Sequence, residues 1–303
     1  MEHLLVSIFG PYMEMIAPIM PGEFFPYFFT MEMFQRALIA SILVTITSGL
    51  IGSFLLLRNL ALIGDGLAHV SFGGIAIAIA LGSTTPLLYA LIFSILSSVT
   101  IYELQSRKIL SGDASIAIFL TGMLGLGLVV LRIWGGGITA DIEGYMFGSL
   151  LLVDNQSLNL TTVIFIITLV SIFALYRGLL AISLDPVSAE VQGLPVKHMG
   201  LWFSILTALV VVSMVKITGT LLATALLVTP AATAQQISRS FKACIIWTQI
   251  FGLITLFLGL YFSAEKSTGS GSMIALVSVI IFTAVAITAQ VYKNYFQGPN
   301  SAK

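Results

Sequence analysis

Of 303 residues, 58% are apolar and 9% charged, and 13 basic and 13 acidic side chains leave a formal net charge of zero. Soluble domains average about 25% charged residues, so this composition belongs to a chain that crosses a membrane many times. The zero balance argues against nucleic acid or an acidic surface as partner, and the single Cys244 excludes an internal disulfide and reads as packing.

Residues 1–35 are rich in Met, Phe and Pro. Pro11, Pro18, Pro21 and Pro26 oppose a spanning helix, so the segment reads either as interfacial and partly helical or as an unordered arm. Glu2, Glu14, Glu23 and Glu32 precede the first base, Arg36, and no cleaved signal is expected.

Nine apolar runs follow: Ala37–Leu57, a run through Asp65 and His69 to Leu81, Pro86–Tyr102, Ala114–Ile133, Leu160–Ile182, two within Leu201–Gln235, Ala243–Phe262 and Met273–Tyr292. A span needs about 20 residues. The expectation is an all-α integral membrane protein, a polytopic bundle of about nine helices. One long kinked helix across Lys216–Thr220 would make it eight and move the C-terminus to the other side. Residues 36–293 read as one transmembrane domain, with 294–303 a short tail.

Loop charge sets the orientation. With the N-terminus outside, the inside holds nine bases (Arg58, Arg107, Lys108, Arg177, Lys197, Arg239, Lys242, Lys293, Lys303) and the outside four (Arg36, Arg132, Lys216, Lys266). Bases prefer the cytoplasm, so the C-terminus is expected there. Asp141, Glu143 and Asp154 fall outside, either as solvated charges or as guides for a cation or a partner. Lys216 is expected to snorkel to the outer interface, His198 to be interfacial and His3 to lie on a mobile end. Gly122, Gly125 and Gly127 read as a packing stripe, and Gly135-Gly136-Gly137 as a turn.

The one acid inside a long apolar segment is Asp65, and His69 follows one helical turn later. A carboxylate at the bilayer centre costs about 2.5–3.5 kcal/mol and is rarely kept without a task. Residues four apart share a helix face, and a carboxylate oxygen plus an imidazole nitrogen suits a divalent transition metal. The plainer alternative is a helix cap with a packed histidine. The longest polar stretch is Ser183–Lys197. Asp185-Pro186 starts a helix and Gly193 with Pro195 stops it, which predicts about two turns on the cytoplasmic side. No phosphate loop and no Ser/His/Asp set occurs, so the chain is not expected to be an enzyme.

Three motifs carry a resemblance. Arg58-Asn59-Leu60-Ala61-Leu62-Ile63-Gly64-Asp65-Gly66-Leu67-Ala68-His69 resembles the "R-x-x-x-L-x-G-D-A-(L/I)-(S/A)-H" motif of permease subunits of the zinc/manganese/iron ABC importers. The usual Ala-Val-Leu-Pro-Gly is here Val70-Ser71-Phe72-Gly73-Gly74, so Gly73 replaces a kink-forming Pro and keeps flexibility. Gly219 through Ala234 is similar to the family's "G-T-L-L-x-x-A-L-L-x-x-P-A-A-T-A". Asp185, Pro186, Ala189, Glu190 and Gly193 resemble its coupling segment, about 183–198.

The resemblance implies a type II-like ABC importer permease in the cell membrane. It also implies a second copy of the chain, cytoplasmic ATP-binding subunits and an extracellular solute-binding protein. Asp65 and His69 would be the metal contacts, with alternating access at the dimer interface. Zinc, manganese and iron all suit the pair, as cargo and not as a resident cofactor. Small residues from Gly219 onward read as close packing near a gate. Pro230 is expected to bend its helix, and Thr229 to bond a carbonyl that Pro230 frees. Two alternatives remain at this point: a permease for metal chelates (siderophore, haem, cobalamin), and a proton-coupled transporter with Asp65 as proton carrier.

Overall fold

The structure, a computed structural model, describes residues 4–134, 140–150, 153–220 and 222–296. The predicted turn at 135–137, the side chain of Asp141 and His3 lie outside these residues. Fourteen α-helices and a 3-10 turn follow in order among the described residues: α1 (Leu4–Ile16), α2 (Tyr27–Thr30), α3 (Glu32–Leu57), α4 (Ile63–Ala80), α5 (Pro86–Ser106), α6 (Gly112–Ile133), α7 (Ala140–Phe147), α8 (Asn155–Leu184), α9 (Pro186–Val191), α10 (Val196–Thr218), α11 (Ala223–Leu227), α12 (Thr229–Ile237), α13 (Phe241–Glu265) and α14 (Ser270–Phe296).

The starts are capped by the residue types that accept a hydrogen bond from the first free N–H groups. Ser111 accepts from Ala114 N, Asp154 from Ser157 N and Ser240 from Ala243 N. Several ends share one device, a residue in the left-handed region followed by an N–H that reaches back five residues. Asn59 (φ 56°), Lys108 (φ 55°) and Ser267 (φ 51°) take this conformation after α3, α5 and α13. The return bonds are Leu60 N to Leu55 O, Ile109 N to Leu104 O and Thr268 N to Ser263 O, all 2.9–3.1 Å. Each lets an apolar helix double back within a few residues, giving antiparallel neighbours.

Eight of the helices are long and apolar enough to cross a membrane: α3, α4, α5, α6, α8, α10, α13 and α14. In α3, α4 and α10 the apolar windows are 72, 78 and 78% buried, against 17% in α14, so these three form the centre and the rest wrap them. Lipid is as apolar as leucine, so close approach holds this centre together more than exclusion from solvent does. Gly52 on α3 is an example. A Cβ there would stand 1.8 Å from the Leu227 carbonyl of α11.

The predicted seventh span differs from a regular helix. It consists of α11 and α12, broken at both ends and again at Val228. It still returns the chain from one end of the bundle to the other. The end of α10 meets the start of α14, where the Ser270 hydroxyl donates to Ile217 O (3.5 Å). The start of α13 meets the end of α3, with Phe241 and Phe54 ring centroids 4.9 Å apart. Because α10 and α13 run in the same direction, the segment between them must cross back. The first break has a tertiary cause. Gly219 (φ 79°) lies so close to the end of α7 that a Cβ would stand 2.3 Å from Met146 O.

Lys216 does not snorkel outward. It is 8% exposed, and its Nζ donates to Ser157 Oγ (2.5 Å) and Asp154 Oδ1 (3.3 Å). A partner on α8 makes burial cheaper than the long reach to solvent. Asp154 is therefore an ion-pair partner and helix cap, not a freely solvated charge. Burial alone would raise its carboxyl. The hydroxyl and N–H of Ser157, with the Lys216 ammonium, more than offset this and hold it below the usual carboxylate range. Residues 4–30 pack on the bundle. Pro11 lies within the 13-residue α1, while Pro18 and Pro26 sit at helix starts. Glu265 at the end of α13 accepts from Phe24 N (2.9 Å) and Phe25 N (3.0 Å), and Phe25 meets Tyr261 edge-on at 5.5 Å.

Candidate functional site

Asp65 falls in the first turn of α4, with His69 one turn further into the buried centre. His69 Nε2 and Asp65 Oδ1 are 3.9 Å apart. That is too long for a hydrogen bond and shorter than two metal–ligand bonds of about 2.1 Å end to end, so an ion fits between them. His69 is buried, and its Nδ1 has no hydrogen-bond partner. Asp65 is half-buried, its side chain 30% exposed at the protein surface. Among the described residues no group of three or more His, Cys, Asp or Glu side chains could hold a metal ion. Asp65 and His69 of one chain would therefore be an open, incomplete ligand set.

The rigidity of this site comes from what surrounds α4, which packs most extensively on α6 and α5. A Cβ at Gly64 would stand 2.3 Å from Leu227 Cδ2, one at Gly66 2.6 Å from Ile116 Cγ2, and one at Gly73 2.8 Å from Met123 O. Gly73 lies in an uninterrupted helix, so its use here is close approach to α6 and not the flexibility expected of it. Of the predicted glycine stripe on α6, only Gly127 packs closely on the bundle, where a Cβ would stand 3.2 Å from the Phe72 ring, while Gly122 and Gly125 face open space. The Ser71 and Ser94 hydroxyls, 2.9 Å apart, add a polar link between α4 and α5.

Asp185, Pro186, Ala189, Glu190 and Gly193 build α9 as a separate short helix. Asp185 accepts from Val187 N (3.0 Å) and Ser188 N (3.1 Å), and Pro186 occupies the first helical position. The Ser188 hydroxyl and N–H, with Val187 N–H, hold the Asp185 carboxyl below its usual range against a small opposing effect of burial. Ala189 is buried against the chain itself, Gly193 (φ 83°) makes the left-handed turn and Leu194 N returns to Ala189 O. The outward face of α9 is instead Val187 (71% exposed) and Val191 (85% exposed), with Glu190 between them. Sequence reasoning passed over these two valines, although two β-branched residues in so polar a stretch were a signal.

The start of α10 is pinned to its neighbours just beyond α9. The Tyr102 hydroxyl donates to Lys197 O (2.9 Å), in a slot that exists because residue 200 is glycine. Glu103 lies 2.9 Å from Arg107 and 3.6 Å from Lys197. The Arg58 guanidinium sits 5.0 Å over the Phe203 ring. These contacts link α9 and α10 to the end of α5 and to the turn that leads into α4. Beside the Val228 break in the middle of the return segment, Pro230 has no N–H to give to Leu226. That carbonyl receives the Ser48 hydroxyl (3.4 Å), which it shares with Thr45 O (3.1 Å). The expected donor, Thr229, instead receives at its own carbonyl the Thr233 hydroxyl (2.8 Å).

A multi-pass helical bundle with an acid and a histidine on one face of a central helix, and a separate exposed helix between two spans, has the architecture of a transporter permease. Residues 30–289 match the ABC 3 transport family, and the chain belongs to it. It is 34% identical over 248 residues to the manganese transport system membrane protein MntC of Listeria monocytogenes, covering 82% of this chain and 88% of that one. It is 28% identical over 251 residues to the high-affinity zinc uptake system membrane protein ZnuB of Haemophilus influenzae, covering 83% and 95%. PsaBC of Streptococcus pneumoniae, solved in complex with Fab, superposes with a TM-score of 0.77 at 28% identity, over 88% of this chain and 96% of that one. The chain is accordingly an ABC importer permease, a multi-pass protein of the plasma membrane.

Proposed function

We propose that this permease carries a divalent transition metal, manganese, zinc or iron, into the cell as part of an ATP-driven importer. The observation that carries the proposal is the Asp65/His69 pair, two ligands 3.9 Å apart on one face of a buried helix. The names of the relatives support the cargo class, since both manganese and zinc systems are among them. Two copies of the chain supply four ligands at the dimer interface. Such a set, completed by water, binds an ion firmly enough to accept it and loosely enough to release it.

The metal arrives from an extracellular solute-binding protein on the side where the chain begins, and the C-terminus lies in the cytoplasm. The Val187/Val191 face of α9, with Asp185, Pro186, Glu190 and Gly193 shaping it, docks on the ATP-binding subunits. Their closure moves α9, and the Tyr102–Lys197 and Arg58–Phe203 contacts pass that movement to α5 and α4, so the pair faces each side in turn. Gly219, Thr229 and Pro230 lie in the broken return segment, which moves as the gate.

Titration of the purified full chain with manganese, followed by loss of the free-ion electron paramagnetic resonance signal, tests the shared site. One ion per two chains is expected in the wild type, with binding lost in Asp65→Ala and in His69→Ala. Binding that survives both substitutions would remove the pair from the metal path.

A further inference from the structure

A groove of about 530 Å³ opens on the bundle surface between α8 and α13, at the end where α3 finishes and α13 begins. Both helices pack on α3 but scarcely on each other, so α3 forms the floor. The walls are apolar (Leu50, Ile172, Phe173 and Ile246). Phe173 is 73% and Ile246 61% exposed, so the groove faces away from the protein.

Two cations line the groove. Arg177 comes from the last third of α8 and Lys242 from the first turn of α13. Among the described residues no carboxylate lies within 4.0 Å of either, whereas Arg107 and Lys197 share Glu103, and Lys216 pairs with Asp154. The Tyr176 side chain also lines the groove, and its hydroxyl is buried without a partner. Its ring is fixed as part of the wall, stacked on Phe241 (6.4 Å, 29°) and edge-on to Phe54 (6.2 Å). The positive end of the Ser240-capped α13 adds to the field of the two cations.

An occupant that satisfies these groups is apolar along the walls and anionic at one end. We propose that the groove binds an anionic phospholipid of the surrounding leaflet. Its acyl chain lies along Ile172, Phe173 and Ile246, and its phosphate lies by Arg177 and Lys242. Basic pockets between spans on the cytoplasmic side are suited to such headgroups. A second copy of the chain fits less well. The described acids at this end are few, and two of them are engaged, Glu103 in ion pairs and Asp185 in capping α9. The proposal rests on membrane insertion and is independent of which cargo is carried. A bound lipid braces α8, which leads into α9, against α13.

The test is native mass spectrometry of the purified full chain titrated with dioleoyl-phosphatidylglycerol or dioleoyl-phosphatidylcholine. The anionic lipid is expected to bind about tenfold more tightly or better. The double substitution Arg177→Gln with Lys242→Gln should cost roughly thirtyfold, the factor two basic contacts supply. The charge-keeping pair Arg177→Lys with Lys242→Arg should bind as the wild type does. Ile246→Trp fills an exposed groove without touching the core, and should block the lipid while leaving both cations in place. Equal binding of the two lipids, or anionic binding unchanged in the double variant or in Ile246→Trp, would overturn the proposal. So would competition by glycerol phosphate as strong as that of the whole lipid, which would make the site one for a free anion. A quantitative disulfide between copies carrying Ile246→Cys on a Cys244→Ser background, formed in vesicles, would show that a second copy covers the groove, and would equally overturn it.

Discussion

Replacing Gly219 by alanine should be among the most damaging small changes in this chain, and its cost can be built up from the geometry. Gly219 has φ 79° and ψ 165° at the end of α10, a region almost confined to glycine. Forcing another residue there costs about 1–3 kcal/mol. The added Cβ would also stand 2.3 Å from Met146 O and 2.4 Å from Gly148 N, both backbone atoms. Relief requires α7 to move away from α10. That movement opens the bonds from Ser149 N to Lys216 O and from Thr220 N to Tyr145 O, both 3.0 Å. At roughly 1 kcal/mol each, they bring the total to about 3–5 kcal/mol. Gly82 provides the control. Its φ is also positive, 67°, but a Cβ there meets nothing within 4 Å. Gly82→Ala therefore isolates the backbone cost, about 1 kcal/mol. Thermal unfolding followed by tryptophan fluorescence should place Gly219→Ala on the order of 10 °C below the wild type and well below Gly82→Ala. If the two variants melt together, the junction of α7, α10 and α14 yields to a methyl group, and the cause assigned to the break in the return segment is wrong.

Other outcomes follow from single contacts. Ser48→Ala should cost about 1 kcal/mol in the wild type and less in a Pro230→Ala background, where a restored N–H serves the Leu226 carbonyl; a double-mutant cycle with no coupling would remove that link. Tyr102→Phe should lower the melting temperature only slightly, yet reduce metal transported per ATP hydrolysed, since it frees α10 from α5; unchanged coupling would exclude the path through Lys197. Asp185 has a folded carboxyl pKa below its unfolded value, so its capping contribution is complete above the ordinary carboxylate range, about pH 4. That contribution is lost as pH falls through the lowered value. Amide exchange at Val187 and Ser188, corrected for intrinsic rates, should stay protected down to about pH 4 and lose protection below it, and Asp185→Ala should abolish that step.

What the sequence makes legible is whatever depends on residues near one another in the chain. Apolar runs of sufficient length give the eight long helices, Asp185-Pro186 and Gly193 give α9, and a spacing of four gives the Asp65/His69 pair. The remainder depends on distant partners. Lys216 looks like an interfacial lysine until Ser157 and Asp154, 59 and 62 residues earlier, arrive beside it. The break after α10 is imposed by α7 and α14, with Gly148 and Gly271 as close to it as Gly219 is. Pro230 is legible as a break, but the group that compensates it lies on α3. The proline-rich start looks unanchored because its anchor, Glu265, is some 240 residues away. Val187 and Val191 stand out as β-branched residues in a polar stretch, but only the position of α9 shows that they face outward.

The central claim is that Asp65 and His69 lie on the path of a metal driven inward by ATP. The measurement that tests it most directly is uptake of labelled manganese, zinc and iron into vesicles carrying the permease with its ATP-binding subunits and delivery protein. Wild type should accumulate one of these metals only when ATP is present, and Asp65→Ala and His69→Ala should each abolish that uptake while the complex remains assembled. Uptake unchanged in both variants, or uptake by the permease without its ATP-binding subunits, would contradict the account.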